Sequence, residues 1–561
     1  MTAWHASCAL VVYAAATAYC TWPLARLSAD YIFPRGSPDD ILLVLWILSW
    51  DVHAIRTGVA QLFDGNILHP ASAILRHSEH MLGALPFFAP TNVSTGDPVL
   101  ALNVVMLASF VLGGFFMHAL LWSWTGSAVA AFVAGLAFAL APWRINGLNW
   151  PHLLSTQYMP LVVLGLERTV MTRRPSAIAL LALALSLQLL ASYYLAQMTA
   201  LVVAAFVVAN LGTIRSRRSW AALAAGLAPP LAALLLISMP YLDAQREGLL
   251  RRGHNDQALE ILATFGQPLA VLRGFVGWGP LALALVALAP ADGFTRKRAW
   301  TLAVLLVVAL IISPGPRGLW NDVLPLYSWL EAVVPGFSLV RVPFRFGILA
   351  SFAAAAMAGL GAWALLRWVP SAPRSLRWVV PALLVGCALS PAFTVRVPPA
   401  ATLPTRADLA PAYAWLATHG EGGPLLELPM QERRVESGWA WDRAGARAMY
   451  FSTYHWLPLL NGYTGYLPPS AAAVEELAAR LPSADALRVL VDCAGLRWIL
   501  LHRPTPRQIE TWQQADGLRL AGVFPGAPRE DRIFEVVIAR SGACGDGRFP
   551  GSPSRPVTAG R

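Results

Sequence analysis

Charge is scarce in this chain. Asp, Glu, Lys and Arg make up 13% of its 561 residues, about half the share of a soluble domain. With 56% hydrophobic residues and a mean hydropathy of +0.53, most of the chain must be solvated by lipid. Lysine is rarer still: Lys297 is the only one, so the net charge of +11 rests on arginine. The arginines are scattered through short loops and form no basic arm or patch, which argues against a nucleic-acid partner. The five cysteines, Cys8, Cys20, Cys387, Cys493 and Cys544, show no CxxC spacing, so a zinc finger or dithiol redox motif is not indicated. The apolar residues 3–23 lack a charged leader and a small-residue cleavage site, and they read as an uncleaved first transmembrane helix. No internal repeat or inverted symmetry is visible, which counts against a secondary transporter.

A helix needs about 20 apolar residues to cross a bilayer. Candidate spans run near 3–23, 98–121, 127–143, 152–170, 176–193, 195–212, 220–241, 276–291, 300–314, 345–368 and 378–394, about 11 in all. With a cytoplasmic N-terminus, four basic clusters fall inside: Arg173-Arg174, Arg215 with Arg217-Arg218, Arg296-Lys297-Arg298, and Arg367 with Arg374 and Arg377. That is eleven cations against one acid, Asp292, as the positive-inside rule demands. The long first loop 24–97, the segments 242–275 and 315–344, and everything after 395 then lie outside.

The expected fold is a polytopic α-helical membrane protein, residues 1–394, with a C-terminal extracytoplasmic α/β domain over 395–540. Short apolar runs at Leu425–Leu428, Trp498–Leu501 and Ile533–Val537 read as strands. Helical patterns cover Ala410–Thr418 and Ala471–Leu481. The tail 541–561, rich in Gly, Pro, Ser and Arg, reads as disordered.

Three outward features carry candidate chemistry. The first is SPDDILLVLWILSWDVHAI, residues 37–55. Ser37, Pro38, Asp39 and Asp40 form a helix start, with acids in the first turn. Trp46 and Trp50 lie four apart, as interfacial anchors would, so a helix along the membrane surface is expected. Capping accounts for Asp39 and Asp40, and a catalytic carboxylate is compatible with it. Further along, Asp64, His69, His77, Glu79 and His80 follow His53, so four of eleven histidines fall within 28 residues. A divalent metal is possible there, but no HExxH-like spacing occurs, no metal ligand is assigned, and no cofactor is required. Glu79 precedes an apolar run, where a raised pKa would suit an acid or base. The second feature is outward arginine: Arg144 in APWRINGLNWPHLLSTQ, which also holds His152, and Arg341 and Arg345 in PGFSLVRVPFRFG. A guanidinium at headgroup depth suits a phosphate, by paired charge-assisted hydrogen bonds; snorkelling or local pairing is the alternative. The third is YFSTYHWLPLLNGYTGYLPP, residues 450–469, whose aromatics around Tyr463 suit sugar stacking or docking onto the headgroup layer.

On these stretches the chain resembles the membrane-embedded GT-C glycosyltransferases, nearest to a bacterial group of membrane glycosyltransferases without assigned substrates. The likeness is carried by Asp39 to Trp50, LFDGNILHP followed by SEHMLG, PWRINGLNWPHLLSTQYMPL, VRVPFRFG and LLNGYTGYLPP. It implies a polyprenyl-phosphate sugar donor, a glycan, lipid or polymer acceptor outside the bacterial inner membrane, and inversion at the anomeric carbon. The base would be Asp39, Asp40 or Glu79. Arg144, Arg341, Arg345, His80, His152 and Tyr463 would surround the lipid phosphate and the acceptor. No WWDYG motif is present, which argues against transfer to asparagine. The competing readings are a flippase or export component for a lipid-linked glycan, and a non-catalytic scaffold with a binding outer domain. Few charges in the spans weaken the first.

Overall fold

Each apolar stretch picked out by hydropathy contains helix. The helices run Ala3–Cys20, Pro98–Thr125, Ala128–Ala139, Tyr158–Thr172, Pro175–Leu189, Tyr193–Asn210, Arg217–Arg246, Trp278–Val286, Gly293–Ile312, Gly347–Leu366 and Leu376–Thr394. The structure is a computed structural model. It describes residues 2–26, 31–32, 39–250, 256–289, 292–318, 323–334, 336–367, 376–395, 401–402, 410–430, 433–436, 439–525, 529–542, 544 and 549. Among these, six helices are long and apolar enough to cross a membrane, or seven if Pro268–Val276 and Trp278–Val286, bent by 102°, form one span. That is fewer than the expected eleven, because segments such as Pro175–Leu189 and Trp378–Phe393 are too short to qualify alone.

Polar caps set the helix ends. Asp97 accepts from Leu100 N, Ser127 from Ala130 N and Ser216 from Ser219 N, each meeting an amide without an intrahelical partner. Gly96 and Gly126 close two helices in the left-handed conformation. Close approach uses small residues, as expected in lipid. Tyr13 lies in a slot between Gly114 and Gly135; a Cβ on Gly135 would stand 2.0 Å from the Tyr13 hydroxyl.

The basic loops gather at one end of the bundle. Arg298 pairs with Glu167 at 3.0 Å, Arg173 donates to Ser219, Lys297 to Asn210, and Arg367 lies 3.9 Å from Asp292. At the other end the first loop meets the C-terminal region. Strand β1, Tyr31–Ile32, pairs antiparallel with β2, Ala401–Thr402. Leu68 N donates to Asn461 O, Leu459 N to Asn66 O, and Asn66 Nδ2 to Leu457 O.

The C-terminal region carries β3 (Leu425–Leu428), the hairpin β4 (Arg433–Glu436) and β5 (Trp439–Asp442), β6 (Trp498–Leu501), β7 (Leu518–Phe524) and β8 (Asp531–Val536). Its main sheet has the order β3-β6-β8-β7, parallel between β3 and β6 and antiparallel elsewhere. Leu426, Ile499 and Phe534 from the sheet pack with Leu487 and Leu490 of the Ala484–Ala494 helix. Cys493 and Cys544 are disulfide-bonded, and Phe549 is buried in the same core. Most of the tail expected to be disordered lies outside the described residues.

The tryptophans of the Asp39–Thr57 helix are not the bare bilayer anchors expected of them. Trp46 and Trp50 are buried; Trp46 Nε1 donates to Asn66 Oδ1 at 3.0 Å and Trp50 Nε1 to Leu62 O at 3.1 Å. The helix packs between the Arg443–Ser452 helix and the membrane bundle. Its apolar content serves an interface between protein parts.

Candidate active site

The first turn of the Asp39–Thr57 helix points its acids into this interface, while the expected Ser37-Pro38 cap lies outside the described residues. Asp39 is fully buried. Asp40 is half-buried and accepts a 3.0 Å hydrogen bond from Tyr463 Oη. Burial, then the negative Asp40, hold the Tyr463 phenol well above its usual pKa, so it stays a proton donor. Asn461 fixes the segment leading to Tyr463: its side chain accepts from Glu427 N and donates to Glu427 O, both at 2.8 Å. The acid is thus tied to strand β3 through two residues.

Arg341 lies within electrostatic reach of the same phenol. Its Nη1 donates to Gly465 O at 3.2 Å, and its guanidinium sits 5.5 Å from the Tyr466 ring centre. The backbone amides of Arg341 and Val342 both donate to Tyr194 Oη. One turn on, Arg345 lies 4.8 Å over the ring of the same Tyr194 and 5.9 Å from that of Trp150. No described residue hydrogen-bonds the Arg345 guanidinium. It faces a cavity of about 140 Å³ lined by Trp143, Trp150, Phe275, Phe344 and Ile348. A cation at the wall of an aromatic, apolar cavity suits an anion that carries a hydrocarbon chain. His152 lies within electrostatic reach of Arg345.

Glu79 is occupied structurally. It accepts from Ser192 Oγ (3.1 Å) and from Tyr193 N (2.7 Å), capping the helix that starts at Tyr193. Burial pushes its carboxyl up, partly countered by those donors and by Arg345. Its neighbour His80 is buried and donates from Nδ1 to the buried Asp51 at 2.7 Å. Arg144 departs furthest from a phosphate ligand. It is fully buried, donates to Leu154 O, Thr156 Oγ1 and Ser109 Oγ, and lies over Phe110 at 4.7 Å. It was expected at headgroup depth, but one carbonyl and two hydroxyls inside the bundle accept from its two terminal nitrogens.

Asp40 thus meets Tyr463, which lies within electrostatic reach of Arg341, while the backbone of Arg341 and the guanidinium of Arg345 meet Tyr194 and Arg345 reaches toward His152; Arg144 and His80 make none of these contacts. Tyr194 is not among the residues singled out above; it falls in the gap between the candidate spans 176–193 and 195–212, and a tyrosine at that break is the signal the sequence offers. No group of three or more metal-ligating side chains stands together among the described residues.

A helical membrane bundle with a long first loop folded under an α/β unit is a GT-C-like membrane fold. Among solved structures, an arabinofuranosyltransferase from Mycobacteria, AftD, has this arrangement, with a TM-score of 0.56 at 17% identity over 96% of this chain. A mutant of that protein gives 0.54 at 16% identity over 97% of this chain and 42% of its own. This chain spans about 40% of the length of AftD. ArnT from Cupriavidus metallidurans bound to undecaprenyl phosphate covers 94% of this chain and 97% of its own at 13% identity, with a lower TM-score of 0.48. At its identity, the likeness to AftD establishes a shared fold alone. No protein-family model and no curated protein matches the chain.

Proposed function

We propose that this chain is an integral membrane glycosyltransferase that takes a sugar from a polyprenyl-phosphate donor and transfers it, with inversion, to an acceptor hydroxyl outside the membrane. The observation that carries the reading is a partly accessible carboxylate, Asp40, held by the Tyr463 phenol, which lies within electrostatic reach of Arg341, four residues before Arg345. The aromatic cavity beside Arg345 supplies the apolar company a lipid phosphate needs.

In the reaction, Asp40 takes the proton from the acceptor hydroxyl as its oxygen attacks the anomeric carbon. The bond from that carbon to the phosphate oxygen breaks, and the electron pair leaves with polyprenyl phosphate. Arg345, with Arg341 behind it, balances the charge gathering on that phosphate. Asp40 is preferred to Asp39, which is buried, and to Glu79, whose oxygens cap a helix. The four basic loops gathered at the far end, and the disulfide at the near end, support an inner-membrane protein with a cytoplasmic N-terminus and an extracytoplasmic C-terminal domain.

The test is direct. Purified protein in lipid nanodiscs is given a panel of polyprenyl-phosphate hexoses and pentoses with hydroxyl acceptors. Release of polyprenyl phosphate that disappears in Asp40→Asn supports the reading. Lipid binding without turnover across the panel, or turnover unchanged in Asp40→Asn, refutes it.

A further inference from the structure

Two connections between spans carry more bare apolar surface than a water-facing loop would. In one, the Asp256–Phe265 helix leads into Pro268–Val276. Ile261 and Phe265 are exposed there, and Leu269 is 67% exposed. In the other, Val323 and Leu324 precede the Leu326–Val333 helix, on which Trp329 is 59% exposed and Val333 is bare too. Both connections pack on the short 315–317 turn. Arg317 on that turn pairs with Glu260 at 3.5 Å, which joins the two pieces.

Their orientation follows from one angle. Pro268–Val276 turns 102° away from Trp278–Val286 across Gly277, whose φ of +83° permits the corner. If the second piece runs across the membrane, the first must run almost within its plane. The Leu326–Val333 helix packs on Gly293–Ile312, whose Trp300, Val304 and Val307 are exposed on a helix of the bundle. The apolar face of the connections therefore continues the lipid-facing belt sideways. Arg273 is exposed on the in-plane segment, a charge suited to anionic headgroups.

This apron also borders the cavity. Gly274 and Phe275 of the in-plane segment line it, and Phe265 packs 5.8 Å from Phe344, another lining residue beside Arg345. We infer that residues 261–276 and 323–333 form an interfacial apron immersed in one membrane leaflet, across which lipid chains reach the Arg345 cavity. The immersion stands on the geometry alone; the passage of a donor lipid rests on the proposed function. Bilayer lipid is the occupant, because the apolar face joins the bundle's own lipid-facing surface and the bend lays it in plane.

Immersion is tested without turnover. Leu269→Cys and Trp329→Cys carry a nitroxide in a background with Cys8, Cys20 and Cys387 changed to Ser, in nanodiscs of mixed neutral and anionic phospholipid. Glu510→Cys, exposed on the C-terminal helix Pro506–Gln513, is the water-facing reference. Both apron labels should favour collision with oxygen over a water-soluble nickel chelate, opposite to the reference. Apron labels as open to the chelate as the reference would overturn the inference. For passage, the double variant Leu269→Glu and Trp329→Glu should raise the apparent KM for a long-chain polyprenyl donor roughly tenfold. A short-chain, water-soluble donor should be turned over as before. An equal loss with both donors would overturn the passage claim. Immersed labels in a protein that turns over no donor would instead count against the proposed function and leave the apron standing.

Discussion

Asp39 and Asp40 are adjacent in sequence, yet one is sealed in the interface and the other meets a phenol and partial solvent. That asymmetry predicts different outcomes. Asp40→Asn should keep the fold and lower turnover about 10²- to 10⁴-fold, the usual weight of a positioned base; thermal stability measured alongside transfer checks both halves. Asp39→Asn should show its effect first as a lower melting temperature. Arg345 offers a graded comparison. Arg345→Ala should raise the KM for the lipid donor by ten- to a hundredfold, the order of a lost charge-assisted pair, and Arg345→Lys should recover part of it. Steady-state kinetics with varied donor would show whether the loss is in KM. At this scale residue type and side of the membrane named Asp39, Asp40 and Glu79 alike as the base, and Arg144 and His80 alongside Arg341 and Arg345. A linear pattern cannot say whether hydroxyls, carbonyls or Asp51 already occupy a polar group.

Helices were the easier reading, since lipid solvation imposes long apolar runs that survive without knowledge of packing. The Asp39–Thr57 helix defeated that logic. Its leucines and tryptophans match an interfacial helix, but Leu62 and Asn66 of the first loop take up both indole N–H groups, and the Arg443–Ser452 helix, about four hundred residues away in sequence, packs against the helix. Nothing local announces a cover that remote. Helix packing makes its own prediction at Gly135. Adding a methyl group there presses on Tyr13 and on Gly114 O, which lies 2.7 Å from the added carbon. Gly135→Ala should cost about 1–3 kcal/mol, the range for overpacking a filled core. A lowered melting temperature in nanodiscs, relieved by Tyr13→Phe, would locate the cost at this contact.

Across the whole molecule, the C-terminal sheet positions the segment that meets Asp40, so its own stability matters to the site. At one end of that sheet His502 is held between Glu427 (2.9 Å) and Asp531 (3.4 Å), and Tyr413 Oη donates to the same Glu427 oxygen. Burial alone would lower the His502 pKa, but its hydrogen bonds to the two carboxylates and their charges win, raising it to about 9. A histidine whose folded pKa is raised stabilises fully below its unfolded value near 6.5 and loses that contribution as pH climbs through about 9. The melting-temperature gap between the native protein and His502→Gln should therefore be largest near pH 6 and vanish above about pH 9. A gap independent of pH would refute the charged pairing.

The phenol that rests on Asp40 is tethered, so its local concentration at the carboxylate is fixed by the chain and cannot be diluted. Free water must compete with it for the same oxygen, and so must any acceptor. A sugar hydroxyl can win by bringing the binding energy of the rest of its glycan, while a lone water brings none. In the proposed reaction the phenol thus guards the activated donor against wasteful hydrolysis. Tyr463→Ala should shift the product ratio from transferred sugar toward free sugar, with both products quantified in the same reaction. An unchanged ratio would mean that water is kept out by something else.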